Sequence, residues 1–426
     1  MEAMKQINFH HLAYESFDKK FSKRYFSTSI IIKAFFIAFC LSVFIYLEYF
    51  SFSYKFLDSL FAFIGFYYLL KSSKQEMFWI GFFIGIFWFY WIGFSFRYYE
   101  LSYLIPLVIL GVGLIYAVVF LFFALLTPTL FLRSLGIIFF SYVAPFGFNW
   151  FKFELTLINS YFSTHIYIFA TFILLIYLFH KFKGDYKLIS LLGIFSLAFV
   201  PLHVKPNLAP IDVKIPQTFL EQNKKWEKTY KEEIINTNLS LIKEAISERK
   251  ELIILPESAF PTYLNLEKTL LLDLEYLSNY ITIYTGALSI EDRKVLNSAY
   301  VFENGKTQIA HKVILVPFGE QIPLPKFARD FINDLFFNGA EDYESAKEPH
   351  NFIIKGLEFR NAICFEATKD ALFEGNPRYM VAISNNAWFT PSIEPTLQNL
   401  LLRYYARKYK TTIYHSANGG ISEVIF

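Results

Sequence analysis

The chain has 426 residues, of which 54% are hydrophobic and only 18% are charged, whereas soluble proteins usually carry about 25% charged residues. This composition excludes an ordinary soluble protein and indicates contact with lipid. The net charge of +3 gives no support for nucleic-acid binding, and no basic helix with interleaved aromatic residues suggests it. The two cysteines, Cys40 and Cys364, lie far apart, and Cys40 falls inside an apolar segment, so no disulfide is predicted.

The apolar residues are concentrated in the first half of the chain. After a polar segment, we predict seven membrane-spanning helices at 30–47, 56–70, 77–96, 104–126, 135–150, 166–180 and 188–202. The first is too long for a signal-peptide core and has no small-x-small cleavage pattern after it, which predicts an uncleaved anchor. The shorter segments need tilt or local thinning, because crossing a bilayer takes about 20 helical residues. The predicted domains are therefore a cytoplasmic segment 1–28, a transmembrane domain 29–203 and a second domain 204–426.

Two features of these segments predict local structure. Gly81, Gly85 and Gly93 recur at helical spacing, which favours close packing against a neighbouring helix. The stretch 144–150 contains Pro145 together with Gly and Asn, and therefore favours irregular backbone. Such backbone is tolerated at a membrane edge only against protein or water.

The basic residues of the loops predict the orientation. With a cytoplasmic N-terminus, the inner segments carry eleven Lys or Arg residues and the outer loops carry only Lys55, Arg97 and Lys152. This asymmetry follows the positive-inside rule. Seven crossings then place the chain after Leu202 on the outer side of the membrane.

The second half of the chain alternates strand-like runs with helical runs, which is typical of a layered α/β domain. The predicted helices cover 222–250 and 395–409, and the predicted strands include 213–215, 251–257, 281–289, 299–303, 411–414 and 421–426. Further strand-like runs lead to Lys312, to Cys364 and through 379–389.

Three of these strand ends carry reactive side chains: Glu257, Lys312 and Cys364. A lone cysteine at a strand end is more often a small buried hydrophobe, and a lone Glu or Lys there is more often a solvated charge. Together they suggest chemistry, because a thiol needs a base or a nearby cation to become a nucleophilic thiolate. Glu257 could take the thiol proton, and Lys312 could stabilise a thiolate or an oxyanion.

The order of four motifs resembles the nitrilase superfamily, and within it the apolipoprotein N-acyltransferase family. The motifs are LPE (255–257), HKVILVPFGEQIPL (311–324), NAICFE (361–366) and ISNNAWF (383–389). The resemblance implies a multi-pass α-helical membrane domain followed by an α/β nitrilase-like domain, an α-β-β-α sandwich. It also implies a bacterial inner-membrane enzyme whose catalytic domain is periplasmic.

The resemblance implies two-step acyl transfer with no cofactor and no metal. Cys364 would take an acyl chain from a membrane phospholipid as a thioester, and the α-amine of a diacylglyceryl apolipoprotein would then accept it. Glu257 would move the proton, and Lys312 would hold the oxyanion together with the backbone N–H that follows Cys364. Supporting or substrate-binding residues would be Glu320, Glu366, Trp226, Phe365 and Trp388.

The chain departs from the family pattern in three places. Phe365 replaces the usual Tyr after the nucleophile, and Asn386 stands where Asp is commoner. The chain also stops at Phe426, where members usually continue to a final transmembrane helix. With no such helix, the second domain is expected to be tethered only near Leu202.

Two other functions fit the same sequence. A membrane-tethered amide or nitrile hydrolase would use the same three residues with water as the acceptor, although the membrane half favours a lipid substrate. A catalytically inactive membrane protein that binds lipid or peptide is the other alternative. The joint presence of Glu257, Lys312, Cys364 and Glu320 argues against it.

Overall fold

The computed structural model of the protein describes residues 26–200, 206–323, 325–327, 329 and 343–426. The chain forms two compact units, and the first is built from the described parts of 1–93, 104–143 and 151–200. The second is built from 94–103, 144–150 and the described part of 201–426. Two short segments from the first half of the chain therefore belong to the second unit. Most of the predicted cytoplasmic segment 1–28 lies outside the described residues.

The first unit is helical. Residues 26–200 form the α-helices α1 (Thr28–Tyr49), α2 (Lys55–Lys71), α3 (Lys74–Phe89), α4 (Ile105–Leu126), α5 (Leu130–Phe139), α6 (Ile166–Lys181) and α7 (Asp185–Leu197). Among the described residues, three stretches are long and apolar enough to cross a membrane: Thr28–Tyr49, Lys74–Tyr99 and Ser102–Leu126. Each of the seven predicted spans overlaps one of these α-helices of the described residues, with bounds that differ by up to eleven residues.

The fifth helix ends earlier than predicted. It was expected to run from Leu135 to Trp150, but α5 ends at Phe139 and is followed by a short 3₁₀ turn to Tyr142. Beyond it, Phe146 and Gly147 have φ angles of 52° and 80°, in the left-handed region that a helix cannot use. The predicted irregular backbone at 144–150 is present, and it replaces the last part of the predicted span 135–150.

The glycines of α3 allow it to lie against α4, as predicted. A Cβ atom on Gly81 would overlap the backbone oxygen of Tyr116, and one on Gly85 would lie 2.9 Å from the backbone oxygen of Val112. Any larger residue at these positions would push the two helices apart. The start of α3 is fixed by Ser73, whose hydroxyl accepts a hydrogen bond from the backbone N–H of Glu76 at 3.2 Å.

The second unit contains two β-sheets. The first consists of β1 (Val213–Lys214), β2 (Leu252–Ile254), β3 (Phe260–Tyr263), β4 (Thr282–Glu291), β5 (Lys294–Glu303) and β6 (Lys306–His311), in the order β1-β2-β4-β5-β6 with β3 beside β4. The second consists of β7 (Asn351–Ile354), β8 (Leu357–Ile363), β9 (Tyr379–Asn385), β10 (Thr412–Asn418) and β11 (Glu423–Ile425), in the order β11-β10-β9-β8-β7. In the second sheet β8, β9 and β10 run parallel, whereas β7 and β11 are antiparallel edges.

The two sheets pack face to face. Ile254 and Tyr284 of the first sheet share a fully buried apolar cluster with Ile363 and Val381 of the second. The outer face of the first sheet is covered by α9 (Lys228–Ser247) and α10 (Lys268–Leu277), whose buried residues form a second cluster with that sheet. Helix α11 (Glu394–Tyr409) contacts β10 and β11 of the second sheet. The predicted α-β-β-α sandwich is therefore confirmed.

The long helix predicted at 222–250 is interrupted. It consists of a short helix α8 (Gln222–Lys225) and of α9, separated at Trp226 and Glu227. Glu227 has extended backbone, with a ψ angle of 127°, and serves as the N-cap of α9. The side chain of Lys225 is buried and donates a hydrogen bond to the backbone oxygen of Glu257. This bond ties α8 to the segment that follows β2, and the break at Trp226 and Glu227 lets α9 take a different course.

Candidate active site

Glu257, Lys312 and Cys364 each follow a strand of the sandwich. Glu257 comes three residues after the end of β2, Lys312 directly follows β6, and Cys364 directly follows β8. Glu257 and Lys312 are 7% and 1% exposed, and Cys364 is partly buried. The charges of Glu257 and Lys312 both act on the Cys364 thiol. The fold therefore brings together three residues that the sequence separates widely.

Lys312 is held as a buried cation. Its Nζ lies 2.7 and 2.9 Å from the two carboxylate oxygens of Glu320 and 4.0 Å from Glu257 Oε1. Burial alone would lower the pKa of Lys312, but the two carboxylates outweigh it, so the pKa is raised above its ordinary value. Lys312 therefore remains an ammonium group at any physiological pH.

Asn297 joins the two carboxylates, and sequence analysis missed it. Its Nδ2 donates hydrogen bonds to Glu257 Oε1 at 2.7 Å and to Glu320 Oε1 at 3.0 Å. Asn297 is 3% exposed and lies on β5. A buried amide in an otherwise apolar strand was the signal that could have found it, because buried polar groups need partners.

Cys364 sits at a strained turn. Its φ angle is 56°, in the left-handed region that residues other than glycine rarely adopt. Such outliers cluster at functional sites because they aim a side chain in a direction that regular backbone cannot. Burial, followed by the charge of Glu257, raises the pKa of the thiol well above its ordinary value, although Lys312 acts in the opposite direction. The resting form is therefore the thiol.

Glu366 connects the loop after Lys312 to the end of the cysteine strand. One carboxylate oxygen accepts hydrogen bonds from the backbone N–H groups of Val313 and Ile314 at 2.8 and 3.0 Å, and the other accepts from that of Ile363 at 2.8 Å. Burial raises the pKa of Glu366 to about 7, against the lowering effect of Lys312 and these three bonds. Its contacts fix the backbone directly after Lys312 and directly before Cys364.

Trp226 is 44% exposed and is the C-cap residue directly after α8. Its neighbour Lys225 is 1% exposed and donates a hydrogen bond from Nζ to the backbone oxygen of Glu257 at 3.0 Å. Burial lowers the pKa of Lys225 to about 8, although Glu257 partly offsets this. Lys225 is a second residue that sequence analysis missed, and it fixes the backbone position of Glu257.

Among the described residues, no group of three or more His, Cys, Asp or Glu side chains could hold a metal ion.

Comparison with known proteins gives the family. Residues 28–200 match the family model described as the apolipoprotein N-acyltransferase integral membrane domain. The apolipoprotein N-acyltransferase of Wolinella succinogenes is 45% identical over 92% of this chain and 95% of its own length. This chain belongs to the apolipoprotein N-acyltransferase family. The Campylobacter jejuni member of the family is 36% identical over 93% of this chain and 89% of its own length.

Structural likenesses are more distant. A CN-hydrolase superfamily protein from Xanthomonas campestris, XC1258, aligns with 15% identity and a TM-score of 0.37, covering 50% of this chain and 78% of that one. The nitrilase superfamily member Nit3 of Saccharomyces cerevisiae aligns with 17% identity and a TM-score of 0.36, covering 49% of this chain and 75% of that one.

Phe365, the residue after the cysteine in this member of the acyltransferase family, is packed between an aromatic ring and a cation. It is 2% exposed, its ring stacks on Phe148 at 5.6 Å with an interplanar angle of 4°, and Lys369 Nζ lies 4.0 Å from its centroid. Phe148 belongs to segment 144–150, which the second unit includes. At this buried position a tyrosine hydroxyl would need a hydrogen-bond partner, which Phe365 does not.

Trp388 also contacts a segment from the first half of the chain. Its ring stacks on Tyr99 at 6.2 Å and meets Tyr98 edge to face at 5.3 Å. Tyr98 also donates a hydrogen bond from its hydroxyl to the backbone oxygen of Ala387 at 3.1 Å. Tyr98, Tyr99 and Phe148 are contacts that the sequence did not predict, because they depend on where segments 94–103 and 144–150 fold.

Proposed function

We propose that this chain transfers a fatty acyl chain from a membrane phospholipid to the α-amino group of the S-diacylglyceryl cysteine of bacterial apolipoproteins, through a thioester on Cys364. The observation that carries the proposal is the grouping of the Cys364 thiol with the charges of Glu257 and Lys312. It occurs in a chain that is 45% identical to an apolipoprotein N-acyltransferase. The membrane domain would place this group beside its lipid donor.

In the first half-reaction Glu257 takes the thiol proton as Cys364 Sγ attacks the ester carbonyl of the phospholipid. The carbonyl oxygen becomes an oxyanion that the Lys312 ammonium and the backbone N–H after Cys364 stabilise. Collapse of this intermediate breaks the bond to the glycerol oxygen, which receives the proton from Glu257 and leaves as lysophospholipid. A positioned base contributes about 10²- to 10⁴-fold to such a step, and an oxyanion donor about 10²- to 10³-fold.

In the second half-reaction the lipoprotein α-amine attacks the thioester carbonyl. Glu257 accepts a proton from the nitrogen, and the same donors hold the oxyanion. The carbon–sulfur bond then breaks, the amide forms, and the proton returns to sulfur. The thiol is regenerated, and no cofactor is consumed.

The supporting residues do not take part in bond changes but act on Glu257, Lys312 and Cys364. Glu320 keeps Lys312 charged, and Glu366 fixes the backbone beside both Lys312 and Cys364. Trp388 and Trp226 are proposed to contact substrate or its channel, and the buried Phe365 is proposed to support the turn at Cys364. With seven crossings and a cytoplasmic N-terminus, the protein would lie in the bacterial inner membrane with this site on the periplasmic side.

The proposal is tested by intact-protein mass spectrometry. Detergent-purified protein incubated with a phospholipid of defined acyl chains is expected to gain the mass of one acyl chain, which hydroxylamine or a diacylglyceryl peptide acceptor removes. The Cys364→Ala variant should stay folded and gain no mass. Cys40→Ala is the matched control and should be acylated normally, because Cys40 is buried in α1 at 2% exposure.

No mass gain, or an acyl group found on a serine, would overturn the thioester mechanism. Release of free fatty acid with no transfer to the peptide would instead favour the membrane-tethered hydrolase.

A further inference from the structure

A buried polar cluster on α11 and the turn before it has no place in the mechanism above. It consists of Asn386, Glu394 and Gln398, which are 1%, 2% and 1% exposed. Polar groups buried to this extent cost free energy unless they are bonded, and a buried carboxylate costs most. A cluster of this kind beside the Cys364 turn therefore needs an explanation.

The hydrogen bonds of the cluster form a chain that ends at the cysteine. Asn386 Nδ2 donates to Glu394 Oε1 and Oε2 at 3.0 and 2.8 Å, and to Gln398 Oε1 at 2.9 Å. Gln398 Nε2 in turn points to Cys364 Sγ at 3.9 Å. This distance is at the long end for a hydrogen bond to sulfur, as is common for catalytic contacts before substrate binds.

The orientation of both amides follows from their surroundings. If the Asn386 amide were flipped, its oxygen would face the two Glu394 oxygens and Gln398 Oε1, and the single proton of an uncharged Glu394 would be the one donor among four oxygens. With Nδ2 in that place, Gln398 must present its oxygen to Asn386 and its N–H groups to Cys364. Room for the Asn386 oxygen on the other side comes from Gly420, because a Cβ atom there would overlap Asn386 Oδ1.

We infer that Gln398 is a positioning residue for Cys364, whose amide N–H holds the sulfur and favours its thiolate, and that Glu394 fixes this amide through Asn386. The inference rests on the proposed function, in which Cys364 is the nucleophile. Hydrogen bonds to the charged form of a group stabilise that form. The uncharged Gln398 amide therefore stabilises the thiolate of Cys364, whose pKa is raised by burial and by Glu257.

Near neutral pH Glu394 fulfils this role with little opposition to the thiolate, although its charge, where present, raises the pKa of Cys364. Burial, and after it Glu257, raises the pKa of Glu394 to about 8, while the bond from Asn386 lowers it. Near neutral pH the carboxyl group is therefore mostly uncharged, and its carbonyl oxygen still accepts from Asn386. The other charges that act on Cys364 are those of Glu257, Lys312 and Glu320.

The inference is tested by the pH dependence of Cys364 alkylation with iodoacetamide. All variants are made in full-length protein carrying Cys40→Ala, so that Cys364 is the single thiol. Gln398→Met keeps the length of the side chain and removes the donor. We expect its alkylation at pH 8 to be about tenfold slower, which corresponds to a thiol pKa about one unit higher.

Gln398→Glu serves as the second variant and should slow alkylation further, because it places an acceptor against the sulfur. The matched control is Asn399→Leu, on the same helix and 1% exposed, whose Nδ2 donates to Glu423 at 2.8 Å and not to Cys364. Its alkylation profile should equal that of the parent protein.

Alkylation requires neither phospholipid nor acceptor. The positioning role of Gln398 and the proposed acyl transfer can therefore be contradicted independently of each other. A parental alkylation profile in folded Gln398→Met overturns the positioning role, whatever the acyl-transfer assay gives. Slowed alkylation in Gln398→Met and Gln398→Glu, with an unaffected Asn399→Leu protein, supports that role even if no acyl transfer is found. Equal slowing in the Asn399→Leu control would mean a general packing effect and would overturn it too.

Discussion

Lys312 Nζ lies 2.7 Å from Glu320 Oε2 but 4.0 Å from Glu257 Oε1. The ammonium is therefore paired closely with one carboxylate and only loosely with the other. Glu320 also accepts a hydrogen bond from the backbone N–H of Val316 at 2.9 Å, so both of its oxygens are engaged. Glu257 is bonded through Oε1 to Asn297. This difference suits Glu320 to fixing the cation and Glu257 to exchanging a proton.

The first prediction concerns Glu320. Glu320→Gln removes the negative charge next to Lys312, so the ammonium loses its closest partner and the pKa of Lys312 falls. We expect kcat for acyl transfer to fall about 10²-fold, the usual cost of losing a well-placed oxyanion donor, with little change in KM. Initial rates in detergent with defined phospholipid measure this.

The matched control for Glu320→Gln is Glu344→Gln. Glu344 forms a surface ion pair with Lys294 at 2.7 Å, and its side chain is 49% exposed. Exposed ion pairs of this type contribute little to the free energy of unfolding. A Glu320→Gln enzyme with the same rate as the Glu344→Gln control would show that Lys312 does not depend on Glu320.

The second prediction separates Glu257 from Lys312. Both Glu257→Gln and Lys312→Met should abolish acylation of Cys364 and remain in the membrane. Lys312→Met should also lower the free energy of unfolding, by about 3–5 kcal/mol, because the buried Glu257 and the partly buried Glu320 are left without their cation. Glu257→Gln keeps an acceptor for Asn297 and should unfold at nearly the native temperature. Acylation of either variant at a near-native rate would exclude the role proposed for that residue.

The third prediction tests Asn297. In Asn297→Leu the buried carboxylate of Glu257 and the partly buried one of Glu320 lose a shared donor, and a hydrogen bond to a charged group is worth about 1.5–3 kcal/mol. We expect a lower melting temperature and an acyl-transfer rate reduced by at least tenfold, since Glu257 is no longer held. Asn279→Ala, at an exposed position, is the control. An unchanged rate in Asn297→Leu would mean that Glu257 is positioned by other contacts.

The sequence was sufficient for the features that depend on local pattern. The strand ends that carry Glu257, Lys312 and Cys364 could be predicted because apolar runs are bounded by polar or turn residues. Close packing of α3 against a neighbouring helix could be predicted because glycines at helical spacing remove the side chains that would separate two helices, whereas the identity of that helix, α4, could not. Each of these signals lies within about ten consecutive residues.

The contacts that were missed join parts of the chain that are distant in sequence. The stack of Phe148 on Phe365 joins residues that are more than 200 positions apart, and the stack of Tyr99 on Trp388 spans an even greater separation. Asn297 and Gln398 look unremarkable in a strand and a helix until the facing carboxylates and sulfur are known. Periodicity cannot reveal such pairs, because it reports which face is buried and not what it faces.

The fourth prediction concerns pH. Burial raises the pKa of Glu394 from 4.5 to about 8, so between these values the folded state binds a proton that the unfolded chain has lost. This group's contribution to stability is therefore complete below about pH 4.5 and is lost as the pH rises towards 8. Glu394→Gln should gain melting temperature relative to the native protein over that interval.

Thermal unfolding at several pH values from 5 to 8.5 measures this difference. The control, Glu232→Gln at an exposed position of α9, should show a difference from the native protein that stays constant with pH. A constant difference for Glu394→Gln as well would mean that Glu394 is charged in the folded protein throughout.

The fifth prediction concerns orientation. β11 ends at Ile425 and lies in the same sheet as β8, the strand that leads to Cys364, so we expect Phe426 and Cys364 on the same side of the membrane. If the seven helices cross from a cytoplasmic start, an epitope tag after Phe426 should be accessible to an impermeant protease in intact spheroplasts. A tag before Met1 is the control and should be protected until the membrane is opened. Protection of the tag after Phe426 in intact spheroplasts would mean that an even number of helices cross or that the positive-inside assignment is reversed.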